Sequence, residues 1–309
     1  MTKPDKYQIA SDFSSLRKYK ALDYKKRHMI KFIKIWAHLS YIFTKTQKDI
    51  RQKKIVLKTK NQTFTIHHYQ NKALMGTRPC LIYFHGGGFV LPAFNYHKKL
   101  LSLYAIEAQC DVLLVHYPLS PQYQSDTILS VCWHAIEWVF KYAHLYALNL
   151  DKLALGGDSA GGTLAAAMAQ KVYDEKGANK IKLQLLILPA LDNSCSTDSM
   201  QQFTQTPVWH TESSRQMWQA YLASNSSYAI PTSRKNFTGL APAYIETAEF
   251  DPLRDEAVVY AQKLQSAQVP VVLEQTRGTC HGFDAIMHSP ITKKYLKQRI
   301  NALRNAWLE

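Results

Sequence analysis

The heptad Gly156-Gly157-Asp158-Ser159-Ala160-Gly161-Gly162 constrains this chain more than any other stretch. Just before it, Leu153-Ala154-Leu155 is a short apolar run that reads as a buried strand. Just after it, Thr163-Leu164-Ala165-Ala166-Ala167-Met168-Ala169 is rich in strong helix formers. A strand must therefore become a helix within a residue or two, with Ser159 at the corner. Gly157 and Gly161 flank that serine as G-x-S-x-G. So sharp a turn holds its central residue in strained backbone geometry and leaves no room for side chains beside it. It lifts the hydroxyl clear of the sheet edge and sets it at a helix N-terminus, where N–H groups favour negative charge. Taken alone, the heptad is equally well explained as a glycine-rich loop that only packs.

The rest of the chain alternates in the same sense. Eight strand-like runs are expected at 54–58, 63–69, 80–84, 112–116, 152–155, 183–188, 244–247 and 271–274. Helices are expected at 98–109, 126–147, to about 173, at 211–223, 254–267 and from 291. Strand and helix in alternation predict an α/β fold, with a mostly parallel sheet covered by helices on both faces. Residues 190–238 change character, being rich in Ser, Thr, Asn and Gln, and read as an insertion over the sheet edge. No internal repeat appears.

With 309 residues, 46% hydrophobic, the chain can build one large domain with an appended subdomain. Five cysteines, Cys80, Cys110, Cys132, Cys195 and Cys280, form neither a disulfide framework nor a zinc pattern. A reducing cytoplasm is the expected compartment. Residues 1–13 lack the apolar core of a secretory signal, and no uninterrupted apolar stretch is long enough to span a bilayer.

The net charge of +15 is unevenly placed: residues 1–60 hold 17 Lys+Arg and 4 Asp+Glu, the remainder 21 and 19. A nearly neutral body argues against nucleic-acid binding. Residues 14–52 read as helical, with Met29, Ile33, Trp36, Leu39 and Phe43 as one apolar stripe among Lys25, Lys26, Arg27, Lys31 and Lys34. The favoured reading is a cap helix whose stripe packs inward. The alternative is a basic amphipathic helix that contacts anionic membrane.

A serine hydroxyl needs a general base, and the base an orienting acid. In the α/β-hydrolase arrangement such a triad runs Ser, then Asp or Glu, then His in chain order. Asp251 in Glu249-Phe250-Asp251-Pro252-Leu253-Arg254-Asp255 and His281 in Cys280-His281-Gly282-Phe283 both follow expected strand ends, where such sites form. Asp255, Asp284 and His288 are rivals. Alone, Asp251 is as well read as a helix N-terminal acid and His281 as one loop histidine among twelve. After the strand at 80–84, His85-Gly86-Gly87-Gly88-Phe89 lets backbone approach a ligand closely. The N–H groups of Gly87, Gly88 and Ala160 can meet the oxyanion formed when Ser159 attacks a carbonyl. His85 reads as a loop-stabilising partner.

Together these segments resemble the hormone-sensitive-lipase-like family, the bacterial type IV esterases of the α/β-hydrolase fold. The carriers are His85-Gly86-Gly87-Gly88-Phe89, Gly157-Asp158-Ser159-Ala160-Gly161-Gly162, Asp251-Pro252-Leu253-Arg254-Asp255-Glu256 and His281-Gly282-Phe283. The resemblance runs from about residue 50 to the C-terminus. It implies Ser159 as nucleophile, His281 as base and then acid, Asp251 as orienter, and Gly87, Gly88 and Ala160 as the oxyanion hole. It implies a hydrolase core over 51–189 and 239–309, capped by residues 1–50 and by the insertion 190–238. It implies a carboxylesterase for small, short-chain esters, with no metal or organic cofactor. Amide cleavage or acyl transfer by the same triad stays open. A ligand receptor on the same fold is less favoured, since such receptors usually lack the histidine. The assembly is also open, a homodimer included. Two departures stand out. Where the family has Tyr-Arg-Leu-Ala-Pro-Glu, this chain has Tyr117-Pro118-Leu119-Ser120-Pro121-Gln122, and Val90-Leu91-Pro92-Ala93 lacks a usual glycine.

Overall fold

A computed structural model describes residues 6–223 and 226–308. Its strands are β1 (Ile50–Lys58), β2 (Thr63–Asn71), β3 (Arg78–Phe84), β4 (Asp111–His116), β5 (Leu148–Asp158), β6 (Leu183–Ile187), β7 (Ala243–Phe250) and β8 (Val271–Cys280). They form one eight-stranded sheet in the order β1-β2-β4-β3-β5-β6-β7-β8. β2 runs antiparallel to both β1 and β4, and the other adjacent pairs are parallel. The expected α/β class is therefore what the chain adopts.

The central strands are apolar on both faces because both are covered. Ile82, Phe84, Leu113 and Leu155 pack into one core with α3 (Ser125–Tyr146), α4 (Ala160–Lys176) and α7 (Arg254–Ser266). Their alternates Leu81, Tyr83, Leu114 and Ala154 pack into the other with α2 (Asn95–Glu107) and α8 (Pro290–Ala306). Between β6 and β7 the chain leaves the sheet to form α5 (Asp198–Gln202) and α6 (Thr211–Tyr221). All five cysteines are free thiols. Among the described residues, no helix is long and apolar enough to cross a membrane.

The N-terminal segment departs from expectation. Instead of one helix over 14–52, it forms a 3-10 helix, Ser11–Lys18, and then α1 (Arg27–Phe43), with β1 already begun at Ile50. No glycine or proline lies in this stretch to mark the break. Tertiary hydrogen bonds make it. The Tyr19 carbonyl accepts the Val208 N–H at 3.1 Å, the Leu22 carbonyl accepts the Ser213 hydroxyl at 2.6 Å, and the Tyr24 N–H donates to Gln216 Oε1 at 2.8 Å. The expected inward stripe is split. Met29 and Ile33 are half-buried, Ile33 against the core, whereas Trp36, Leu39 and Phe43 are exposed; the buried residues of α1 are Ile30, Ala37 and Tyr41.

Four strand ends converge. β3, β5, β7 and β8 run parallel and release their chain at the same edge, delivering Gly86–Gly88, Ser159, Asp251 and His281 to one region. The convergence depends on α4 pressing against the end of β3. A Cβ on Gly161 would overlap the carbonyl oxygen of Phe84, and one on Gly157 would overlap the Gly161 carbonyl. Gly161→Ala should therefore destabilise the fold by about 1–3 kcal/mol or more through overpacking against backbone, measured as a lowered urea midpoint with unchanged slope.

Candidate active site

Ser159 closes β5 and caps α4 with φ 52° and ψ −121°, a left-handed backbone seldom adopted by non-glycine residues. Its N–H is anchored on the Ile187 carbonyl at 2.8 Å, and its carbonyl accepts the Gly162 N–H at 2.9 Å. Both neighbours of the turn are thereby fixed, and the hydroxyl projects from the corner.

β7 and β8 deliver the other two residues side by side, since Phe250 and Cys280 are paired in the register that ends both strands. His281 Nδ1–H donates to Asp251 Oδ2 at 2.7 Å, and His281 Nε2 accepts the Ser159 hydroxyl at 2.9 Å. A carboxylate can only accept, so it fixes the tautomer that leaves Nε2 open toward the serine. Asp251 is 1% exposed and Ser159 7%, so the chain of bonds is shielded but reachable at its serine end. Burial pushes the His281 pKa down, but the charge and hydrogen bond of Asp251 outweigh it, and the net shift is upward.

The rivals are engaged elsewhere. Asp255 pairs with Arg254 at 2.7 Å and accepts the Ser199 N–H at 2.7 Å. Asp284 pairs with Arg299 at 2.9 Å, and His288 is exposed.

Beyond β3, Gly87 has φ 119° and Gly88 φ 59°. A Cβ on Gly87 would come within 2.7 Å of the Leu91 carbonyl oxygen. The Leu91 and Val90 N–H groups fold back on the Gly87 carbonyl at 2.9 and 3.1 Å, which closes the loop into a tight turn. Among the described residues, no backbone carbonyl accepts the N–H of Gly87 or Gly88. Ala160 opens α4, so its N–H has no partner one turn earlier. His85, pushed down to about 4 mainly by burial, is neutral, donates through Nδ1 to the Gly86 carbonyl at 2.8 Å, and stacks on Tyr117. The departing stretch 117–122 buttresses the same loop: Tyr117 donates to the His85 carbonyl at 2.6 Å and the Ser120 N–H to the Phe89 carbonyl at 2.8 Å. Gln122 faces outward.

The mouth is narrow. The Trp209 ring lies 5.7 Å from that of His281, and a Cβ on Gly88 would meet Trp209 Cη2 at 2.9 Å. The Tyr24 hydroxyl donates to the Gly88 carbonyl at 2.5 Å.

A serine on a strand-to-helix turn, hydrogen-bonded to a buried histidine that is bonded in turn to an aspartate, is an arrangement suited to acyl transfer. The sequence matches a family model for the α/β-hydrolase fold over residues 81–285. The chain belongs to this family. Its relatives place it with the hormone-sensitive-lipase-like esterases. Esterase LipI of Mycobacterium tuberculosis is 32% identical over 210 residues, which is 66% of this chain and 65% of that protein. The ethyl acetate hydrolase of Pseudomonas putida is 31% identical over 213 residues, 66% of this chain and 65% of its own length. The chain thus spans just under two thirds of these two curated relatives. A solved bacterial heroin esterase superposes with a TM-score of 0.88 at 26% identity, covering 97% of this chain and 98% of that one.

One α/β-hydrolase part escaped the motifs. Asp158, the residue before the serine, accepts from Tyr83 Oη at 3.0 Å, Tyr96 Oη at 2.9 Å, the Gly86 N–H at 3.0 Å and His97 Nε2 at 3.2 Å. His97 Nδ1 accepts the Phe94 N–H, so Nε2 carries the proton. Burial would raise the Asp158 carboxyl, but His97, Tyr96 and Tyr83 overrule it and hold it well below the usual carboxylate range. Tyr83 and Tyr96 lie in ordinary apolar or turn contexts, and only the acid inside G-x-S-x-G hinted at this hub.

Two outcomes follow. Protonated His281 cannot take the serine proton, so kcat/KM for an ester should fall as pH drops through a pKa above the ordinary histidine value of about 6.5. A profile whose acid limb sits below that value would contradict the geometry. Asp158→Asn turns an amide donor onto Tyr83, Tyr96 or His97 and should lower kcat by about 10–100-fold with little change in KM, since it loosens the Gly86 loop without touching substrate.

Proposed function

We propose that this protein is a serine carboxylic ester hydrolase working through an acyl-enzyme, with Ser159 as nucleophile, His281 as proton carrier and Asp251 as its orienter. The observation that carries this reading is the unbroken hydrogen-bond chain from Asp251 through His281 to Ser159, with a glycine loop whose Gly87 and Gly88 N–H groups meet no backbone carbonyl among the described residues. Ser159 Oγ attacks the ester carbonyl carbon while His281 Nε2 takes its proton. The carbonyl oxygen becomes an anion facing the N–H groups of Gly87, Gly88 and Ala160. Such donors are worth about 2.7–4 kcal/mol each in the transition state. Collapse expels the alcohol, which leaves with the proton from His281. Water then repeats the sequence on the acyl-serine, giving the carboxylic acid and the free hydroxyl.

Short acyl chains are the favoured substrates. Trp209 and Tyr24 crowd the oxyanion loop, and Phe89 stacks on Tyr221 at 3.7 Å within the same wall. The name of the Pseudomonas putida relative points to small esters as well. Residues 1–50 and 190–238 act as the cap in this reading, small-molecule esters are the partners, the cytoplasm is the compartment, and any lipid contact is peripheral.

Ser159→Ala should lower p-nitrophenyl acetate turnover by about 10⁴–10⁶-fold while the urea unfolding midpoint stays within error of the parent. Substantial turnover in that variant would end the assignment. Across p-nitrophenyl esters, kcat/KM should fall at least about tenfold from butyrate to decanoate. Turnover of matched anilides without esters would make the enzyme an amidase instead.

A further inference from the structure

The face of α1 that points away from the protein carries more apolar surface than the face that packs. Phe32, Ile35, Trp36, Leu39, Ile42 and Phe43 are all exposed, from 46% at Leu39 to 79% at Phe43. At 100° per residue they cover an arc of about 120°, centred opposite Ile30, Ala37 and Tyr41. The buried side is held by Tyr41, whose hydroxyl hydrogen-bonds His67 Nδ1 at 2.7 Å and also Tyr69 Oη. The outer apolar face is therefore fixed outward. A contiguous patch of this kind needs an occupant.

Charge decides which one. Residues 24–48 contain seven Lys+Arg and no Asp or Glu. Lys25, Lys26 and Arg27 stand exposed at the start of α1, Lys31 along its flank, and Lys45 and Lys48 beyond its end. A second copy of this chain would set two such faces against each other and bring like charge onto like charge. An anionic bilayer satisfies both features: acyl chains take the aromatic and aliphatic face, while lysine stems reach up to the headgroups.

We propose that α1 docks this protein on the surface of an anionic lipid bilayer, lying in the interface plane with its outer face among the acyl chains. The inference goes beyond the ester-hydrolase reading and does not rest on it. It does bear on access, because Tyr24, which touches the Gly88 carbonyl, lies three residues ahead of the first residue of α1, Arg27.

The test is sedimentation of the full chain with vesicles of phosphatidylcholine alone and of phosphatidylcholine with phosphatidylglycerol at about three to one. Binding to the anionic vesicles is expected to be at least about tenfold tighter than to the neutral ones, and to weaken as salt is raised. Trp36→Glu/Phe43→Glu should lose that binding about tenfold or more, with an unchanged far-UV circular dichroism spectrum and urea midpoint as proof of folding. Lys45→Glu/Lys48→Glu should weaken anionic binding alone. No sedimentation with either composition, equal sedimentation with both, or binding unaffected by the glutamate variants would overturn the proposal. So would a dimer in sedimentation equilibrium that the Trp36→Glu/Phe43→Glu variant abolishes while lipid binding is absent.

Discussion

A carboxylate sealed from water survives as a charge only where donors stand in for the water. Asp158 recruits those donors from β3, from the loop after it, and from the first turn of α2. Its own place is fixed by β5, one residue before Ser159. The demand of one buried charge thus ties the strand that ends at Ser159 to the glycine loop after β3. Neither could shift without leaving part of the carboxylate unsolvated, so electrostatics does here what packing alone would do loosely. The same close fit excludes side chains at Gly86, where a Cβ would overlap Asp158 itself.

Above this rigid floor, the cover is made of two segments that hold each other. The stretch 19–24 and the segment around 206–216 exchange backbone and side-chain hydrogen bonds, and Tyr24 and Trp209 both rest against Gly88. Gly88 is a meeting point because it has no side chain and a left-handed backbone, φ 59°. The cost of that arrangement is space. The space beside Ser159 is thus bounded by an indole and a phenol from the cover rather than by His281 and Asp251 alone.

The strand-and-helix alternation was legible because the central strands are continuous apolar runs, and a buried parallel sheet leaves that mark. The glycine-flanked serine, the His281 loop and the Asp251 loop were legible because tight turns demand particular residues at particular spacings. What the sequence hid was tertiary in origin. The break at 19–26 has no glycine or proline, and comes from backbone groups captured by a segment 191 and 192 positions away. α1 is apolar on several sides, so periodicity could not say which side packs. The structure chose Ile30, Ala37 and Tyr41, the last a tyrosine with a partner waiting on β2. Tyr83, Tyr96 and His97 converge on Asp158 from elements that local spacing does not connect.

The acids around the site show why Asp251, among several carboxylates near His281, is the one bonded to the imidazole, while Asp284 and Asp158 add only a weaker field. Asp284 is three residues from His281, yet Arg299 takes its charge at 2.9 Å while also holding Glu246 at 2.5 Å. Asp255 is taken by Arg254, and Asp158 by tyrosine, histidine and amide donors. Glu256, with Oε1 on the Leu191 N–H at 2.6 Å, is raised well above the ordinary range by burial. Asp251 has the Leu253 N–H at 3.0 Å and then His281; no Lys or Arg is recorded against it among the described residues. Its charge is therefore spent on the imidazole rather than on a permanent cation. A cation placed beside Asp251 would compete for that charge, so the helix that follows begins with an arginine already committed to its neighbour. With Asp284, Asp255 and Asp158 engaged by other partners, Asp251 is left as the carboxylate that orients the imidazole, through the 2.7 Å hydrogen bond.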